Sequence, residues 1–348
     1  MSHDKSKVKL VLGVVLVIVL FGVYWAFQTH QAHQAHQTSR TKTNVSLTNV
    51  SYDPTREFYG AYNKYFKKYW QKKTGQSVSL NVSNGGSGKQ ANSVIDGNQA
   101  DVVTLALAQD VDAIQKAGLI NKNWESAFPD NSAPYTSTIV FLVRKDNPKK
   151  IHDWNDLVKS GVKVISPNPK TSGAARWNFL AAWAYANKHK LDSKQFEKQL
   201  YQNVKVLDSG SRDATTTFVQ NQQGDVLINW ENEAKLAVKE HPGKYEIITP
   251  SISIKAQPSV AVVNAVAKKR GTTKLANAYI RQLYTTKAQK IAAENYYRPA
   301  NKKVAKAYKS EFPSVKMVTI NDKQFGGWAK VQKKYFSDGG IFDQIYTK

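Results

Sequence analysis

The sequence predicts an α/β protein of two lobes, each a mainly parallel sheet flanked by helices. Three observations carry that expectation. From residue 44 onward, short β-branched runs alternate with longer helical patterns, which is how parallel sheets with helical crossovers are written. Nine such runs suit two sheets better than one. A length of 348 residues with 41% hydrophobic content exceeds what one ordinary core absorbs.

Along the chain, residues 10–27 come first as eighteen consecutive uncharged, mostly apolar positions, LVLGVVLVIVLFGVYWAF. At about 1.5 Å per residue such a helix just spans the hydrocarbon of a bilayer. Lys5, Lys7 and Lys9 precede it, while Tyr24 and Trp25 stand where interfacial aromatics belong. Residues 1–27 are therefore expected to be a membrane anchor, with the N-terminus inside and the body outside; the alternative is a cleaved secretory signal, after which the body is secreted or periplasmic. Residues 28–44 form a polar linker, and its His30, His33 and His36 are read as solvated rather than metal-ligating.

Strands are expected at 45–50, 78–82, 102–105, 137–144, 162–165, 204–207, 225–229, 245–248 and 259–263. The helix after the first strand repeats Phe58, Tyr62, Phe66 and Trp70 every four residues, with Thr55 as cap and Gly75 as stop, so its aromatic stripe reads as core. Proline-rich stretches at 129–136 and 249–259 are the candidate crossovers between lobes. Lobe I is accordingly expected at 45–128 with about 240–258, lobe II at 129–239, and a mostly helical part packing across both at 259–348.

Composition removes whole classes of chemistry. With no cysteine, the chain has no disulfide, thiolate metal site or cysteine nucleophile. No HExxH, paired-carboxylate or Ser/His/Asp set stands out, so neither an enzyme, a metal nor a cofactor is expected. Lys plus Arg number 50 against 26 acids, a net +24; the first 44 residues hold a net +4, leaving +20 on the body. These lysines scatter along helices such as KKYWQKK and KKVAKAYK without a nucleic-acid fold signature, so nucleic acid is not an expected partner.

Two segments share one design, a strand, a Gly/Ser turn and a helix: residues 79–95 (SLNVSNGGSGKQANSVI) and 162–183 (VKVISPNPKTSGAARWNFLAAW). The first N–H groups of a helix lack intrahelical acceptors and carry about half a positive charge, so each turn is an anion socket to which Ser87 or Ser172 adds a hydroxyl. The first turn is not a Walker A loop, since Ser83 and Gln90 stand where that motif needs Gly and Ser/Thr. Trp230 follows a strand at the end where open α/β sheets bind ligands. Asp53 reads as a helix cap or a support, and Arg212 as an anion ligand or an ion-pair member.

The runs NVSYDPTREFYGAYN, NGGSGKQANSVIDGNQADVV, FPDNSAPYTSTIVFLVRKDNP, SPNPKTSGAARWNF, GDVLINWENEA and FGGWAKVQK closely resemble the sulfate- and thiosulfate-binding proteins of ABC importers, from about residue 45 to 343. That resemblance implies a two-lobed periplasmic-binding-protein-like fold of type II, a ligand in the interlobe cleft and delivery to ABC permease subunits by a monomeric receptor. Matching motif positions implies sulfate contacts from Ser87, Ser172, Gly173, Ala174, Ser211 and Trp230, with Asp53 and Arg212 in support. The second turn reads Ser-Gly-Ala-Ala-Arg where Ser-Gly-Gly-Ala-Arg is frequent, so the Ala174 methyl narrows the pocket. Molybdate, phosphate or another tetrahedral oxyanion is the alternative ligand, and an envelope-anchored phosphate or sulfate ester hydrolase the alternative of a different class.

Overall fold

The computed structural model describes residues 44–346, and the anchor and linker segments expected at 1–43 lie outside them. Two sheets form the frame. The first has the order β11-β3-β1-β2, built from β1 (Val45–Tyr52), β2 (Val78–Gly85), β3 (Val102–Leu105) and β11 (Ser259–Val262). β1 pairs in parallel with β2 and β3, and β11 runs antiparallel to β3. The second has the order β7-β6-β8-β5-β9, built from β5 (Ile139–Arg144), β6 (Val164–Pro167), β7 (Val204–Asp208), β8 (Val226–Trp230) and β9 (Tyr245–Ile248).

The expected nine strands all form, and two assignments need correcting. β9 pairs with β5 in the second sheet, so the segment near 240–258 does not return to lobe I; the return is made by β11. Pairing decides this, because β5 stands antiparallel between β8 and β9 and the second sheet is mixed rather than mainly parallel. Four short strands were not anticipated: β4 (Tyr135–Thr136), β10 (Ile252–Ile254), β12 (Arg298–Pro299) and β13 (Lys316–Val318). They are two or three residues long and clip the crossovers, β12 to β4 and β13 to β10.

Helix α1 (Arg56–Thr74) buries Phe58, Tyr62, Phe66 and Trp70 against lobe I and ends on Gly75 at φ 72°, as its spacing predicts. Thr55 stands at the cap position, but its hydroxyl bonds Tyr52 O at 2.7 Å instead of a helix N–H. The proline-rich segments lie side by side at the hinge, where Ser137 N donates to Ala256 O at 2.9 Å and Ala256 N to Ser137 O at 3.0 Å. The C-terminal part divides: 264–294 packs on lobe I, whereas Ile320, Phe325, Trp328 and Phe336 join the core of lobe II. Among the described residues no helix is long and apolar enough to cross a membrane.

Candidate functional site

The parallel strands aim their C-terminal ends at the cleft, and three helices begin there: α2 (Ser87–Ile95) after β2, α4 (Gly173–Lys188) after β6, and α6 (Ser211–Val219) after β7. Between them lies a small pocket, walled by Ser87, Ser172, Ala174 and Ser211 together with the backbone-rich stretches Tyr52–Pro54 and Gly85–Gly86. Among the described residues, no lysine, arginine or histidine lines it. Three helix N-termini on one small space, two of them without a side-chain cap, amount to an anion socket made of peptide dipoles.

Two glycines let the lobes meet around it. A Cβ on Gly86 would stand 2.7 Å from Thr171 O of the opposite lobe. One on Gly173 would stand 2.9 Å from the Ser87 Cβ and 3.0 Å from both the Ala106 Cβ and the Leu107 Cγ. The indole N–H of Trp177 also crosses the cleft, donating to Ala106 O at 2.9 Å.

The three serines differ in what their hydroxyls have left to give. Ser87 donates to Asp110 Oδ2 at 2.5 Å and accepts from the Ala106 N–H at 2.9 Å, so its hydroxyl is spent inside lobe I. Burial raises the Asp110 carboxyl above its usual range, although Arg176, 3.9 Å away, and Ser87 pull the other way. Ser172 only accepts, from the Ala175 N–H at 3.4 Å, and keeps its proton for another acceptor. The Ser211 hydroxyl is buried and has no partner, an orphan on the cavity wall.

Among the remaining expected residues, Gly173 opens α4 and Ala174 lines the cavity with its methyl. Trp230 is not among the residues that line the cavity. It is fully buried behind the wall, packs on Tyr52 and donates its indole N–H to Ala174 O at 3.3 Å. Asp53 starts a short 3-10 turn at the end of β1 and lines the cavity, its carboxylate against the space where a Gly210 side chain would stand and 3.5 Å from Arg56. Burial and the nearby Asp213 push its pKa up.

Arg212 is an ion-pair member: it forks onto Glu57 of lobe I at 3.1 and 2.9 Å and onto Glu233 of lobe II at 3.0 and 2.9 Å. Burial disfavours the guanidinium's charge, but the two carboxylates outweigh it and raise its pKa. Burial likewise opposes the Glu57 charge, and Arg212 more than compensates, so that carboxyl sits below its usual range. Residue spacing missed Asp110 and the Ser211 hydroxyl. The buried Asp in LALAQDV, just past β3, was the only available sign of the first.

Residues 55–298 match the family model of the bacterial extracellular solute-binding proteins. The sulfate-binding protein of Escherichia coli (strain K12) is 59% identical over 307 residues, 87% of this chain and 93% of that one. The thiosulfate-binding protein of Pseudomonas aeruginosa is 49% identical over 306 residues, covering 86% and 92% of the two chains. Among solved structures, the sulfate-binding protein SubI from Mycobacterium tuberculosis H37Rv superposes with a TM-score of 0.76 at 33% identity, covering 84% of this chain and all of that one.

Proposed function

Because the chain belongs to the bacterial extracellular solute-binding proteins, we propose that it captures sulfate outside the cytoplasm and hands it to the permease of an ABC importer. Thiosulfate, which differs by one oxygen-to-sulfur exchange and gives its name to close relatives, is the second ligand of the same site. The observation that carries the reading is the small pocket on which three helix N-termini converge, with no cationic side chain among its described lining residues.

In this reading the main-chain N–H groups of Ser87, Gly173, Ala174 and Ser211 hold the anion, joined by the free hydroxyls of Ser172 and Ser211. Trp230 steadies the second turn by fixing the Ala174 peptide through its carbonyl. Hydrogen bonds to a charged group contribute about 1.5 to 3 kcal/mol each, so half a dozen exceed the roughly 8 kcal/mol of a micromolar complex even after desolvation and lobe ordering. The guanidiniums around the site add no direct contact in this reading: Arg56 reaches Asp53, Arg176 faces Asp110 and Arg212 is occupied by Glu57 and Glu233.

A donor-only site also selects. Sulfate is unprotonated at neutral pH, whereas hydrogen phosphate carries a proton that needs an acceptor, and leaving it unpaired costs about 1 to 3 kcal/mol. Among the described residues Asp53 is the one side-chain carboxylate on the cavity wall, and Arg56 with the Gly210 backbone occupies its surroundings. Hinge closure over the anion, with the permease reading the closed form, completes the cycle. Residues 10–27 serve as an uncleaved anchor that keeps the receptor at the outer face of the membrane.

Titration calorimetry of residues 44–348 with sulfate and thiosulfate tests the ligand. Ser172→Asp places a carboxylate where the dianion would sit and is expected to abolish binding with the melting temperature preserved. Unchanged affinity in that variant removes the second turn from the site.

A further inference from the structure

The neutral cavity leaves the basicity of the body unexplained. One group of its lysines stands at a single pole. β1 begins at Val45 beside Val78 and ends at the cavity with Tyr52, so the N-terminal edge of the first sheet is the pole of lobe I farthest from the cleft. The helices following the parallel strands return to that pole: α1 ends there with Lys72 and Lys73, and α3 (Ala108–Lys116) with Lys116. β11 arrives antiparallel to β3, which puts α8 (Asn264–Lys269) and the start of α9 (Thr273–Gln282) there as well, with Lys268, Lys269 and Lys274.

All six lysines are exposed, and none forms an ion pair among the described residues. Of the acids at this end, Asp101 is buried against Arg270 at 3.3 Å, and Asp96 after α2 is exposed. A helix C-terminus favours one cation in its last turn. It does not explain Lys64, Lys68 and Lys72, exposed along α1 at four-residue spacing, where like charges destabilise a helix.

The chain path identifies what meets this pole. Asn44, joined to lobe I through the Ser79 hydroxyl at 3.4 Å, is where the fold receives residues 1–43, and these include the uncharged apolar run 10–27. The body therefore presents unpaired lysines on the side from which its apolar leader departs. We propose that, between deliveries to the permease, this pole of lobe I docks on the anionic face of a phospholipid bilayer, with the cleft turned away from the lipid. The contact is electrostatic and independent of the anion site.

Sedimentation of residues 44–348 with vesicles measures it. This segment holds both cores complete and lacks the apolar run. Binding to phosphatidylglycerol-containing vesicles is expected, with little to pure phosphatidylcholine and a steep fall as salt is raised. A lysine near an anionic leaflet is worth roughly fivefold in partitioning. Replacing Lys72, Lys73, Lys268 and Lys269 together by Gln is thus expected to weaken binding at least about fiftyfold. The charge-matched set Lys163, Lys188, Lys198 and Lys205 on lobe II, all exposed, is expected to weaken it less than about threefold.

Unchanged sulfate calorimetry in both sets shows that each is folded. Absence of binding to the anionic vesicles overturns the proposal. So does an equal loss in the two sets, which would mean net charge alone, or equally tight binding to soluble poly(glycerol phosphate), which would make an envelope polymer the partner.

Discussion

The Ser87 and Ser172 turns share a design and part company at one proton. Both follow a strand, both stand at a helix N-terminus on the cavity wall, and both are buried. In lobe I the hydroxyl is given to Asp110 and pinned by the Ala106 N–H, so this turn has only backbone left for a ligand. In lobe II the Ser172 hydroxyl accepts one weak bond and keeps its proton free. The same motif is thus structural on one side and donating on the other, and the difference is set by a carboxylate that one lobe has behind its turn.

Substitutions can break that contrast. The largest effect is expected from Gly173→Val, because even a Cβ there collides with Ser87, Ala106 and Leu107. Propping the lobes apart should lower sulfate affinity more than about a hundredfold with the unliganded melting temperature nearly unchanged, a pattern that calorimetry and thermal denaturation read together. Next, Ser172→Ala removes a donor to a charged guest and should cost about tenfold to a hundredfold in affinity, with about 1 kcal/mol of stability lost because the same hydroxyl caps α4. Ser87→Ala is expected to do the reverse. It strands the buried Asp110, lowering stability by about 1 to 3 kcal/mol, and changes affinity by less than about threefold. Equal affinity losses in the two alanine variants would erase the contrast.

The smallest effect on affinity, none, is expected far from the cleft at Glu197 of α5 (Ser193–Asn203). Both its carboxylate oxygens are buried without a side-chain partner, and burial raises its pKa well above the usual range, opposed only by the Trp183 backbone. A carboxyl whose folded pKa lies above its unfolded one holds its proton longer in the native state, so stability falls as pH climbs from the ordinary carboxylate range towards the raised value. Glu197→Gln removes that penalty. Its melting temperature should exceed the parent's at pH 8 and match it near pH 4, while sulfate affinity stays constant.

Strand positions were legible because period and β-branching report burial directly: the expected runs 45–50, 102–105 and 245–248 appear as β1, β3 and β9. Sheet membership was not, since nothing local in YEII says that β9 pairs with β5 rather than returning to lobe I. At the site, the turns announced themselves through Gly and Ser, and Ser87, Ser172, Ala174 and Ser211 do meet on one cavity. What remained hidden is where each hydrogen goes. The Asp110 acceptor lies 23 residues beyond Ser87, and the Ala174 carbonyl that takes the Trp230 N–H is 56 residues away. Hydrogen-bond direction depends on such distant partners, so residue spacing finds a donor without telling whether it is already committed.

The central claim, a neutral set of donors closed on a fully ionised guest, is tested most directly by titrating sulfate into residues 44–348 at pH 7 with phosphate in large excess. The account predicts that the sulfate dissociation constant moves by less than about twofold, because the one carboxylate on the wall, Asp53, is already engaged by its neighbours and leaves the phosphate proton without an open acceptor. A shift in proportion to the phosphate concentration would contradict it and would mark Asp53 as an acceptor open to the ligand.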